Sequence, residues 1–167
     1  MRQSVLQRDV LSIEEAFGGL TDPRGRPSPH DLREILFVSL CAILSGADSW
    51  VAIQIWGESK LDWLRRYGPL ERGIPSHDTF GRIFAALDPL EFETCWRIEN
   101  SMHWVLDMAF GEDQYRVRVN NAAQNFAILR RICLNLLKAY TTTKAGIKKR
   151  RLKAGASDGY RAAVLRL

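Results

Sequence analysis

Hydrophobic residues recur at three- and four-residue steps along most of the chain, the period of helices that bury one face. The first such segment runs from about His30 to Ser45, and Gly46 follows it as a candidate left-handed cap. The same spacing predicts helices over 49–67, 76–87, 88–110 and 121–140, and a short amphipathic helix around 160–165. Almost no segment has the two-residue period of a strand. The pattern therefore predicts a mainly α fold.

Two of these helices begin with capping signals. Ser76 can cap one helix, and Asp78 in its first turn favours the positive end of the helix dipole. Asp88 precedes Pro89 and Glu91, which gives a capping side chain, a proline at the first helical position and an acid three residues after the cap. These signals support both starting positions independently of the hydrophobic period.

The same pattern identifies core candidates and one long loop. Trp56 and Trp63 lie on one side of the second helix and are most simply core residues. Residues 22–29 contain three prolines and a glycine, so they form a loop. The helix over 121–140 is predicted to bury Ala122, Phe126, Leu129, Cys133, Leu136 and Leu137 and to expose Gln124, Arg131, Asn135 and Lys138.

Length and composition are those of an ordinary globular protein. The 167 residues are 46% hydrophobic and 26% charged, which suits one domain or two small ones. Three widely spaced cysteines predict neither a disulfide framework nor a zinc site. The longest apolar run, residues 35–44, is far shorter than the roughly 20 residues of a membrane span. We expect a cytoplasmic protein that does not cross a membrane.

Charge is distributed unevenly along the chain. The net charge is +5, yet residues 1–95 carry −4 and residues 96–167 carry +9. No carboxylate occurs between Gln114 and Ser157, where eleven lysines and arginines accumulate. Such a stretch suits a surface that faces a polyanion, and a solvated, less ordered basic tail is the alternative.

The segment from Gly73 to Phe84 offers a second candidate for DNA binding. Its turn followed by a capped helix has the character of the second helix of a helix-turn-helix unit. Ile74, Phe80 and Ile83 can pack inward while Ser76, His77, Thr79 and Arg82 face outward. A structural helix with a good cap explains the same residues, and the sequence leaves both interpretations open.

Two blocks of motifs cover most of the chain. The first contains Asp22-Pro23-Arg24, His30-x-Leu32-x-Glu34-Ile35-Leu36, Gly46-x-x-Ser49-Trp50, Gly73-Ile74-Pro75-Ser76-His77-Asp78-Thr79-Phe80-x-Arg82-x-Phe84 and Leu87-Asp88-Pro89-x-x-Phe92. It closely resembles the amino-terminal, transposase-associated region of the H-repeat-associated family of bacterial insertion-sequence transposases. The second contains Trp96-x-Ile98-Glu99-Asn100-Ser101-Met102-His103-Trp104, Asn121-Ala122-Ala123-x-Asn125 and Leu134-Asn135-Leu136-Leu137-Lys138. It resembles the carboxy-terminal catalytic region of the same family.

The resemblance implies a DDE transposase with an RNase H-like core, in which two aspartates and a glutamate hold two Mg²⁺ ions. Glu99 matches the glutamate and is the catalytic and metal-binding candidate, but neither aspartate has a counterpart. The first block ends near Phe92 and the second begins by Trp96, so a central sheet on the order of a hundred residues is missing. The resemblance thus indicates a transposase with its central catalytic region deleted.

One carboxylate cannot by itself build a two-metal site, so we expect no productive Mg²⁺ binding, and whether any enzymatic activity persists stays open. Glu99, His103 and Asp107 share one side of the predicted helix over 88–110. Because they span about 12 Å of helix rise, an ordinary polar face explains them better than a site for a single ion.

The resemblance implies a helical transposase-associated region over 1–95 and, over 96–167, the carboxy-terminal helices of a truncated RNase H-like core with a basic tail. The predicted function of the chain is that of a truncated insertion-sequence transposase without strand-transfer activity. A non-enzymatic DNA-binding or inhibitory module that regulates an intact transposase is the alternative. The resemblance implies the DNA ends of an insertion sequence as a partner, and the further prediction is self-association or pairing with an intact transposase. The DNA-binding candidates are Arg82, Arg130, Arg131, Lys148, Lys149, Arg150, Arg151 and Lys153.

Overall fold

The computed structural model describes residues 17–95 and 121–167, and these ranges are mostly helical, which confirms the predicted fold class. Their helices are α1 (Leu32–Leu44), α2 (Trp50–Ser59), α3 (Leu61–Leu64), α4 (His77–Ala86), α5 (Pro89–Cys95), α6 (Ala122–Ala139), α7 (Ile147–Ala156) and α8 (Asp158–Leu165). Glu99, His103 and Asp107 lie outside the described residues, as does most of the helix predicted over 88–110. The division of the chain at residue 95 stays a prediction.

Helix α1 forms the centre of the fold. Ten of its thirteen residues are buried, because other helices cover it on several sides. The helix ends as predicted: Gly46 has a φ of 115°, its N–H donates to the Ile43 carbonyl, and the Ala47 N–H donates to the Ala42 carbonyl. This pair of hydrogen bonds is the Schellman arrangement, which needs a left-handed residue at the Gly46 position.

Helix α6 joins the two described ranges into one core. It packs against α1, α4 and α5 of the first range and against α7 and α8 of the second. The six residues predicted to be buried on this helix are buried. Buried Asn125 was not predicted; its Nδ2 donates to the carbonyls of Phe84 and Leu87 at 2.7 and 3.0 Å. It thereby supplies partners for carbonyls at the carboxy-terminal end of α4.

The prediction of one continuous helix over 49–67 is wrong. The backbone of Lys60 leaves the helical region, with φ −116° and ψ 15°, and separates α2 from the short α3. Trp63 is buried, as expected, and Trp56 is partly buried against it, with ring centroids 6.4 Å apart. The break leaves the predicted packing of the two tryptophans intact.

The basic segment after α6 is not a loosely ordered tail, so that expectation is wrong. Helices α7 and α8 fold back onto α1 and α6. Arg150 donates to the carbonyls of Leu137 and Tyr140 at the end of α6. Arg151 donates to the Ile43 carbonyl in the last turn of α1. Carbonyls at two helix ends therefore receive cationic donors, which the helix dipoles also favour.

Arg161 attaches α8 to the rest of the fold, as Arg150 and Arg151 attach α7. Its side chain is fully buried, and its guanidinium carbon lies 4.3 Å from the centroid of the Trp63 ring and 5.1 Å from that of Trp56. The guanidinium donates to the Ala154 carbonyl at 2.8 Å and pairs with Asp158. Asp158 also accepts a hydrogen bond from Lys60. These contacts connect α8 to both α2 and α3.

Close approach of α7 to the end of α1 requires a glycine. A Cβ built on Gly155 would lie 2.8 Å from the carbonyl oxygen of Ser45. We expect Gly155→Ala to lower the free energy of unfolding by about 1–3 kcal/mol, because overpacking forces the backbone to shift.

Gly159 in the next helix is the matched control, since a Cβ there meets nothing within 4 Å. Gly159→Ala should be neutral or stabilise by up to about 1 kcal/mol through helix propensity. Urea denaturation of both variants measures the difference. Equal stabilities for the two would contradict the close approach of α7 to α1.

Candidate nucleic-acid interface

Three lysines of α7 form the exposed cationic surface that the charge pattern predicted. Lys148, Lys149 and Lys153 are all exposed. Lys153 Nζ lies 5.0 Å from the centroid of the Tyr160 ring, which is within the range of a cation–π contact. Helix α7 therefore presents three positive charges to solvent from a fixed backbone. We call these residues the α7 lysines.

The four neighbouring arginine candidates have roles inside the fold. Arg130 is 1% exposed and lies over the Phe126 ring, 4.9 Å from its centroid. Arg131 pairs with Glu93 across α6 and α5, with Nη1 and Oε1 3.2 Å apart. Arg150 and Arg151 bind helix carbonyls, as described above, and burial lowers the pKa of Arg151 from its ordinary value. The structure thus separates lysines that face solvent from arginines that face the protein.

Helix α4 has the predicted cap, but most of its polar first-turn groups are already engaged. Ser76 Oγ accepts the Thr79 N–H at 3.3 Å, which confirms Ser76 as the cap. His77 contacts Gln54 Oε1 of α2 through its backbone N–H and through Nδ1. Residues 65–76 connect α3 to α4, a connection much longer than the three- to four-residue turn of a helix-turn-helix unit. The structural-cap interpretation fits this geometry better.

Arg82 is the exception on α4. It is exposed, and its closest hydrogen-bond acceptors among the described residues are in its own helix, 3.4 and 3.5 Å away. Its side chain lines a cavity of about 440 Å³ between α4 and the proline-rich loop 22–30. Arg26, at the exposed part of this loop, lines the same cavity.

Sequence reasoning placed residues 22–29 in a loop but assigned them no functional role. Two arginines among three prolines were the available signal, because proline restricts the loop and arginine gives it charge. Nothing in the local pattern showed that this loop would pack beside Arg82, more than fifty residues later in the chain.

The Mg²⁺ implied by the resemblance finds no matching residues in the described ranges. Within residues 17–95 and 121–167, no group of three or more histidine, cysteine or acidic side chains could hold a metal ion. Glu99 lies outside these ranges. We therefore assign no metal ligands and derive no step of the function through a metal ion.

Comparison with known protein families identifies the family to which this chain belongs. The model of the family described as DDE_Tnp_1-associated matches residues 14–98, about half of the chain. The chain belongs to the DDE_Tnp_1-associated family. In this family member, the matched region contains α1 to α5 and the cavity beside Arg82, whereas α6 to α8 lie outside it.

Named relatives confirm the predicted resemblance to H-repeat-associated transposases. The H repeat-associated putative transposase YhhI of Escherichia coli (strain K12) is 31% identical over 116 residues, 68% of this chain and 29% of the relative. An uncharacterized protein in the dhlA 3' region of Xanthobacter autotrophicus is 50% identical over 80 residues, 46% of this chain and 27% of the relative. The inactive transposase YbfQ of Escherichia coli (strain K12) is 48% identical over 54 residues, 32% of this chain and 64% of the relative.

This DDE_Tnp_1-associated chain spans less than a third of the length of the first two relatives. No solved structure matches it significantly. Among the described helices, none is long and apolar enough to cross a bilayer.

Proposed function

We propose that this chain is a truncated insertion-sequence transposase that binds DNA through the α7 lysines and has no strand-transfer activity. The observation that carries the proposal is the exposure of these three lysines on a helix within a stretch free of carboxylates. Lysines that neutralise phosphates release condensed counterions, which gives affinity without sequence readout.

The internal arginine contacts support the same proposal. Arg150 and Arg151 hold α7 against the ends of α6 and α1, so the α7 lysines project from an anchored helix. A fixed cationic surface loses less conformational entropy on binding than a flexible tail does. Arg150 and Arg151 thus contribute by positioning α7, and the α7 lysines contact the polyanion.

The absence of strand transfer rests on the sequence. Two-metal phosphoryl transfer needs several carboxylates around the ions, and Glu99 alone matches the catalytic set implied by the resemblance. We infer the deletion from the short distance between the two motif blocks. An inhibitory module that competes with an intact transposase for DNA or for subunits is the second proposal, since the chain keeps the family-matched region over 14–98 while the catalytic aspartates have no counterpart in its sequence.

The substitutions Lys148→Ala/Lys149→Ala/Lys153→Ala should weaken the salt dependence of DNA binding. We expect the slope of log K against log salt to become less negative by up to about 2.7. Each lysine that contacts a phosphate contributes about 0.9 to this slope in duplex DNA. Fluorescence anisotropy with two unrelated 20-bp duplexes, each titrated at several salt concentrations, measures the slope. Both duplexes should respond equally, since phosphate contacts carry no sequence information.

A variant that removes three positive charges elsewhere controls for net charge. Arg33, Arg66 and Arg72 are exposed and lie away from α7 in the sequence, so Arg33→Ala/Arg66→Ala/Arg72→Ala should keep most of the slope. The duplexes should also stay uncut when Mg²⁺ is added. An unchanged slope in the lysine variant, with its circular dichroism spectrum intact, would remove the α7 lysines from the interface.

A further inference from the structure

The cavity beside Arg82 is lined by cationic and neutral residues from two elements. Its lining includes Arg24, Arg26, His30 and Arg82, and no carboxylate of the described residues lines it. We call it the loop–α4 groove. Its volume of about 440 Å³ lies within the range of pockets that hold small organic ligands.

The loop wall of this groove is held in place by Arg24. Its Nε and Nη2 donate to the two carboxylate oxygens of Asp22 at 2.8 and 2.6 Å. Its Nη1 donates to the His30 carbonyl at 2.7 Å, so one guanidinium joins both ends of the loop. Pro27 and Pro29 restrict the backbone between those ends. Because Asp22 neutralises Arg24, this arginine braces the loop and leaves the binding charge to other residues.

Two lining arginines have no acidic partner in the described ranges. Neither Arg26 nor Arg82 forms an ion pair there. His30 adds little charge at neutral pH, because burial lowers the pKa of its imidazole and Arg24 and Arg72 lower it further against the opposing effect of Glu34. The positive charge of the groove therefore comes from Arg26 on the loop and Arg82 on α4.

We propose that the loop–α4 groove binds the phosphodiester backbone of a DNA strand between Arg26 and Arg82. Guanidinium groups present several N–H donors that match phosphate oxygens in a bidentate arrangement. The groove is partly open to solvent, and its volume exceeds that needed for one phosphate. This inference rests on the proposed function, since it adds a second contact to the same DNA, within the part of the chain that the family model matches.

The test compares wild type with Arg26→Ala/Arg82→Ala by anisotropy of a labelled 20-bp duplex. Two phosphate contacts contribute about 1.8 to the salt slope. Between 50 and 200 mM salt, the affinity of wild type should therefore fall by about tenfold more than that of the groove variant. Arg26→Lys/Arg82→Lys keeps both charges and should keep the wild-type slope. Both arginines are exposed, so circular dichroism should show both variants folded.

Arg33→Ala/Arg66→Ala is the matched control. It also removes two exposed arginines, neither of which lines the groove, and should keep the wild-type slope. Inorganic phosphate at constant ionic strength distinguishes a strand from a free ion. Phosphate at 10 mM should weaken duplex binding to wild type but not to the groove variant, because the ion and the strand then compete for the same two arginines. If phosphate leaves duplex binding to wild type unchanged and the groove variant keeps the wild-type slope, the groove is at most a site for the free ion and the inference is wrong.

The α7 variant separates this inference from the proposed function. If the lysine variant binds like wild type while the groove variant loses slope, the groove stands and the α7 interface fails. The reverse result overturns the groove and leaves the α7 interface in place. Wild-type slopes in both variants would overturn both.

Discussion

Asn125→Asp should lower the free energy of unfolding by about 4 kcal/mol or more at pH 8, the largest effect we expect from a single substitution. The Asn125 side chain is fully buried, and its amide donates to the carbonyls of Phe84 and Leu87 at 2.7 and 3.0 Å. A carboxylate there would direct negative charge at two carbonyl oxygens. A buried charge without a partner costs about 3–5 kcal/mol, and the lost hydrogen bonds add to that cost.

The effect should depend on pH in a defined direction. Burial and the two carbonyls favour the protonated acid, so the pKa of the new carboxyl is higher in the folded than in the unfolded chain. The folded state then binds more protons, and stability falls as the pH rises above about 4. Urea denaturation at pH 5 and pH 8, with each value referred to Asn125→Ala at the same pH, isolates this dependence.

Asn121 provides the matched control at the start of the same helix. It is partly exposed, and its Nδ2 donates to the Leu87 carbonyl at 3.3 Å. Asn121→Asp should cost less than about 1 kcal/mol, because water solvates the new charge. Equal effects of aspartate at the two positions, or a cost at Asn125 that does not change with pH, would contradict the buried role of Asn125.

The hydrophobic period predicted the main helices because burial of one face is a local property of the sequence. Helix α6 illustrates this: its predicted apolar face is buried, and its predicted bounds differ by one residue at each end from Ala122–Ala139. Asn125 and Arg130 do not fit that description. Both are polar, yet both are buried. Asn125 donates to a carbonyl of α4, and Arg130 lies over the aromatic ring of Phe126.

Charge counting had a similar limit at the candidate interface. The carboxylate-free stretch identified where positive charge accumulates, but counting treats lysine and arginine alike. The fold distinguishes them: the α7 lysines face solvent, while Arg150 and Arg151 bind carbonyls at the ends of other helices. Which basic residues turn inward depends on α6 and α1 ending beside α7, and this is a tertiary feature. The loop–α4 groove was missed for the same reason.

Arg161→Ala should lower the free energy of unfolding by about 3 kcal/mol. The substitution removes a hydrogen bond from a charged donor to the Ala154 carbonyl, contacts with the faces of Trp56 and Trp63, and most of a fully buried side chain. Charged hydrogen bonds contribute about 1.5–3 kcal/mol and desolvated cation–π contacts about 2 kcal/mol. Loss of the buried desolvation cost of the guanidinium offsets part of this sum.

Three further variants assign the effect to the guanidinium itself. Arg161→Met keeps volume without charge, and Arg161→Lys keeps charge without the planar group that contacts both indole rings. Both should remain about 1–2 kcal/mol less stable than wild type, since neither restores both the Ala154 hydrogen bond and the ring contacts. Lys60→Ala removes only the exposed partner of Asp158, 3.0 Å away, and should cost less than about 1 kcal/mol. Urea denaturation followed by tryptophan fluorescence measures all four variants. Wild-type stability in Arg161→Met would show that a side chain of the right volume is enough to hold α8 against α2 and α3. The buried charge would then contribute nothing to the packing between the two described ranges.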